Sequence, residues 1–185
     1  MKNLAKALLV GGLFLYLTPN LALAADPGDS NSTCNISVTV NTILEWAGNF
    51  TDITLTAISA QADTPDANET QTIYTNCNFE ISADTSTTAQ LSSATDTLVT
   101  KYKLADDGDG SADTGATAAA EAASGIATWT DYNSFLSTAL AETHVDTDGA
   151  VDITLSVQAS NPAGEVADAG SYSAIQTLTA SWTSD

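Results

Sequence analysis

Short runs in which apolar and polar residues alternate with a period of two dominate this chain, and they limit what it can fold into more than any other feature. Val151, Ile153, Leu155 and Val157 alternate with Asp152, Thr154, Ser156 and Gln158, and Ile53, Leu55 and Ala57 alternate with Thr54 and Thr56. Leu98, Tyr102 and Leu104 form a third such set with Lys101 and Lys103. Successive side chains of a strand point to opposite faces, so each run has one dry and one wet face. A parallel sheet covered on both sides has no use for a wet face. The closing run puts Tyr172, Ala174, Leu178, Ala180 and Trp182 on one side, with Gln176 as its single polar interruption, and this predicts a core position for Trp182. Ser, Thr and Val, which suit a pleated half-buried surface, fill much of the remainder. The pattern predicts an all-β fold, a two-sheet antiparallel β-sandwich of roughly seven to nine strands.

One segment departs from this period. Tyr132, Phe135, Leu136, Ala139 and Leu140 recur at helical spacing behind Thr130 or Asp131 as N-cap, which predicts one short helix over 131–141. Residues 1–24 read as a signal peptide: Lys2 and Lys6 precede an apolar run, and Ala22-Leu23-Ala24 offers a cleavage site. Residues 25–33 read as a flexible leader and 34–185 as a single sandwich domain. The chain is expected to be secreted, extracellular or at the cell surface, without membrane insertion.

The sequence contains no Arg, and only Lys101 and Lys103 would remain beyond the signal to oppose 23 Asp plus Glu. Phosphate neutralisation needs cations, so nucleic acid is excluded as a partner. An acidic surface suits solubility in salt, calcium or a basic partner. In an oxidising compartment Cys34 and Cys77 are expected to form a disulfide. Each shares a face with apolar residues, Ile36, Val38 and Val40 for Cys34, and Ile73, Phe79 and Ile81 for Cys77. Such a bond would stabilise the fold by about 3–4 kcal/mol.

Groups with chemistry are sparse. Asp106, Asp107, Asp109 and Asp113 sit among glycines as a candidate calcium loop, but the sixth position counted from Asp107 is Ala112, where an EF-hand needs Gly. A solvated turn is the simpler reading, and Asp146 and Asp148 before Gly149 read the same way. The sole histidine, His144, follows the predicted helix, where a dipole contact explains it better than catalysis. Glu45 beside Trp46 is the nearest acid for paired-carboxylate chemistry, and aromatic burial accounts for that pair more simply. No catalytic residue, cofactor or enzymatic activity is expected.

The strand VDITLSVQAS, followed by the lead Ala169-Gly170-Ser171-Tyr172-Ser173-Ala174 into a terminal strand, and the N-terminal NISVTV together resemble fimbrial major subunits of the colonization-factor type and spore-coat-U-like secreted proteins. The resemblance covers about half of the chain beyond the signal. It implies an immunoglobulin-like antiparallel β-sandwich. For the fimbrial branch it also implies an N-terminal strand donated to a neighbouring subunit, with Ile36, Val38 and Val40 as the candidate donor residues. A donated strand would make a Cys34–Cys77 bond intersubunit or absent, whereas a self-contained sandwich would pair 34–40 within its own chain. The latter arrangement is the one expected. The function expected is that of a structural or adhesive protein, a subunit of a fimbrium, other surface filament or extracellular matrix, with self-association or a protein partner. The alternative is a monomeric secreted binding module for carbohydrate or protein.

Overall fold

The computed structural model describes residues 31–106, 125–144 and 149–184, and divides the chain into two units, Met1–Val40 and Asn41–Asp185. The segment read as a signal peptide lies outside the described residues.

The described residues of the larger unit form eight strands: β1 (Leu44–Trp46), β2 (Asp66–Thr75), β3 (Asn78–Ala83), β4 (Val99–Asp106), β5 (Gly125–Asp131), β6 (Leu140–Glu142), β7 (Ala150–Ser160) and β8 (Leu178–Ser184). They form two antiparallel sheets, ordered β1-β2-β7-β4-β5 and β6-β3-β8. The all-β sandwich follows from the alternation. Strand β7 lies at the centre of the larger sheet, with β2 and β4 antiparallel on its two sides. Its inward Val151, Ile153, Leu155 and Val157 are buried with Ile73, Tyr102 and Leu104 of the same sheet and Phe79 and Ile81 of β3. The chain changes sheet at Asn76–Cys77. Here the Asn76 side chain accepts from Ile43 N at 2.6 Å and donates to Asn41 O at 3.0 Å, extending the β1 pairing by one amide.

Several expectations are corrected. The helix over 131–141 is a turn, because both ends of that segment are already held by sheet. Asp131 pairs with Lys101, Tyr132 N donates to Thr100 O, and Leu140 pairs with Ile81. One turn remains, in which Asp131 O accepts from Ser134 N and Phe135 N, and Leu136 then adopts φ 48°. Phe135 and Leu136 are buried all the same, with the Phe135 ring 5.4 Å from Tyr102. Helical spacing here marks residues that a tight turn drives inward. The short helical element is instead the 3-10 turn Thr87–Ala89, capped by Ser86.

Second, residues 34–40 form no strand, and Ile36, Val38 and Val40 are 93%, 88% and 69% exposed. Both cysteines are accordingly free, Cys34 exposed and Cys77 buried, with no disulfide between them. Third, Trp182 is 56% exposed although it pairs with the buried Phe79, because it lies near the end of an edge strand.

Candidate functional site

A groove of about 1090 Å³ opens on the larger unit. Leu98, just ahead of β4, and Tyr102, Leu155 and Val157 of the large sheet contribute to its lining. One wall is the segment from Phe50 to Ile58, and the other runs from Val166 to Leu178.

The first wall has the sequence of a strand without the pairing of one. Ile53, Leu55 and Ile58 are half-buried, Thr54 and Thr56 are exposed, and Ile53 and Leu55 pack on the core. Yet the backbone of 51–58 makes no hydrogen bond with any described residue. The anchors lie at its ends. Gln71 Nε2 donates to Asn49 O at 2.8 Å and Trp46 packs on Phe50 with ring centroids 5.6 Å apart, while Asp63 Oδ2 accepts from Ser59 N and Ala60 N, both at 2.7 Å.

The second wall is bonded along one side. Ser173 N and O both bond Ser92, Ile175 N donates to Thr88 O, and Thr177 O accepts from Asp84 N. Consecutive residues of an extended chain aim their backbone groups to opposite sides. The intervening Ala174 and Gln176 therefore aim theirs away from those partners, and neither forms a backbone hydrogen bond with a described residue. Both line the groove. Gln176 Oε1 accepts from Thr177 N at 2.8 Å, and its Nε2 is buried without a partner.

Asn161 ties the two walls at one end. It is 7% exposed, donates from Nδ2 to Ala60 O and Gln61 O, both at 3.3 Å, and accepts from Ala167 N at Oδ1 at 3.1 Å. Nearby, Asp168 N donates to Asp96 Oδ2 at 3.0 Å, and that bond, followed by one from Thr97 N, holds the Asp96 carboxyl below its ordinary pKa. Beneath the groove Tyr102 donates to Ala89 O at 2.7 Å, and burial, aided by the Asp84 charge, pushes its phenol up to about 12. Tyr102 is thus a neutral structural donor.

Among the described residues, the groove lining includes no His, Cys or Lys, and its only carboxylates are Asp52 and Asp168. Among the described residues, no three or more His, Cys, Asp or Glu are grouped to hold a metal ion. Of the candidate calcium ligands, Asp107, Asp109 and Asp113 lie outside the described residues, as do Asp146 and Asp148, and Asp106 is the last residue of β4. No helix among the described residues is long and apolar enough to cross a membrane.

The arrangement sets unbonded backbone groups beside half-buried apolar side chains. Edge backbone groups are a template for another strand, and the half-buried apolar residues beside them suit alternate side chains. The alternation at Ile53 and Leu55 signalled a strand in the sequence, but no sequence feature showed that it lacks a neighbour. Asn161 gave no signal, and Gln176 was visible only as an interruption. A scan of protein-family models, a search of curated proteins and a search of solved structures each found no match for this chain.

Proposed function

We propose that this protein is a secreted, non-enzymatic structural subunit of a surface filament or extracellular matrix. In this reading the segment carrying Ile36, Val38 and Val40 of one copy adds as a strand to the groove of the next. The observation that supports it most strongly is the pairing of complementary deficits. The groove has walls with unbonded backbone groups, and the same chain carries three apolar residues at period two that are 69–93% exposed. Residues 31–40 contain no charge, which suits a groove without a cation on a chain this acidic. Burying the three side chains contributes about 1.5–3 kcal/mol each. Association costs roughly 4–15 kcal/mol, so the backbone ladder is needed as well as the apolar face. A donor and an acceptor on different parts of the chain make a head-to-tail contact, which gives an open filament wherever the rotation between copies does not close a ring.

Sedimentation velocity of the full chain tests this. Mass should rise with concentration, and Val38→Asp should abolish the rise while leaving the fold unchanged, since Val38 is 88% exposed. A monomer at every concentration would overturn the reading in favour of a binding module for a foreign peptide or carbohydrate.

A further inference from the structure

Strand addition by itself leaves the register open, because a slip of two residues keeps the same face inward. We propose that Gln176 fixes that register by facing Cys34 of the incoming strand, an inference that rests on the self-assembly reading above.

The groove wall reads Tyr172, Ala174, Gln176, Leu178, with one polar side chain among apolar ones. Its Nε2 is buried and unpartnered, and its Oε1 is already committed to Thr177 N. An apolar side chain seated against it leaves that donor unpaired, as it is in the free chain, whereas a side chain that can accept a hydrogen bond relieves it. The inward face of the donor has its own break in apolar character, since Cys34 precedes Ile36, Val38 and Val40. A thiol is small and its sulfur accepts weakly. With Cys34 opposite Gln176 and the strand antiparallel to the wall, Ile36 meets the small Ala174, Val38 meets Tyr172 and Val40 meets Gly170, all of them lining the groove. A slip by two residues one way seats Ile36 on the amide, and the opposite slip moves Ile36 from the small Ala174 onto Tyr172 and Val40 onto the charged Asp168.

Cross-linking in the full chain tests the pairing. Gln176→Cys, oxidised with diamide and run on non-reducing gels, should give a ladder of covalent multimers. That ladder should disappear on reduction or with Cys34→Ser, and exceed about ten-fold the yield from Ala174→Cys or Leu178→Cys. Gln176→Met, which keeps the length and removes the amide, should let Ala174→Cys acquire a ladder by relaxing the register. A ladder from Ala174→Cys or Leu178→Cys but none from Gln176→Cys would overturn the register while leaving strand addition intact. No ladder from any of the three would overturn both.

Discussion

Strand β7 and the wall segment 51–58 carry the same period-two pattern and have opposite fates. In β7 the inward Ile153, Leu155 and Val157 are 0–8% exposed, and both edges are bonded, to β2 on one side and β4 on the other. In the wall, Ile53 and Leu55 reach only half-burial and no backbone group is bonded to a described residue. Alternation decides which face of a segment is dry. Whether that segment has neighbours is decided by chain elsewhere, here the approach of residues 172–178 to the 84–92 loop on its far side. The first region holds the fold together, and the second is where, in the proposed reading, another strand adds.

Substitutions should separate these roles. Ile153→Ala, at a fully buried site, should destabilise the monomer by about 2–5 kcal/mol. Leu55→Ala should cost about 1 kcal/mol or less in the same urea titration, because Leu55 is only half-buried, while weakening self-association markedly. Equal stability losses would erase the distinction between the two regions. Asn161→Ala comes next, at about 1–3 kcal/mol, because it strands the carbonyls of Ala60 and Gln61 and the amide of Ala167. It should also reduce assembly at constant folded fraction, which size-exclusion chromatography would show.

The smallest effect sharpens the contrast from beneath the groove. Tyr102 titrates near 12 in the folded chain against 10.0 ordinarily, so the folded state holds its proton more tightly. Its contribution is fully present below pH 10 and is lost as pH rises toward 12. Tyr102→Phe should cost about 1 kcal/mol at neutral pH through the lost bond to Ala89 O, and should make the alkaline decline of stability between those values shallower.

The same contrast explains how much could be read in advance. The all-β class and strands β4, β7 and β8 were legible because one-sided burial leaves a period of two in the residues themselves. The segment around Phe135 and Leu136 misled because a single tight turn and a short helix place apolar residues at the same spacing. The role of Ile36, Val38 and Val40 stayed ambiguous for a different reason. Alternation there says strand, yet the residues are exposed, so the partner that would make them one is not specified locally. Expecting Cys34 and Cys77 to bond assumed that two core-facing patterns share one core. Asn161 was illegible because its importance lies in joining residues about a hundred positions upstream to a neighbour six positions on.

Hydrogen exchange at the backbone amides of 51–58 in the full chain, dilute and concentrated, tests most directly whether the groove takes a strand from another copy. The wall should exchange freely in dilute protein, and its groove-facing amides should become protected as copies associate, with Val38→Asp preventing the change. Free exchange at every concentration, in protein that nevertheless multimerises, would contradict strand addition and place the contact elsewhere.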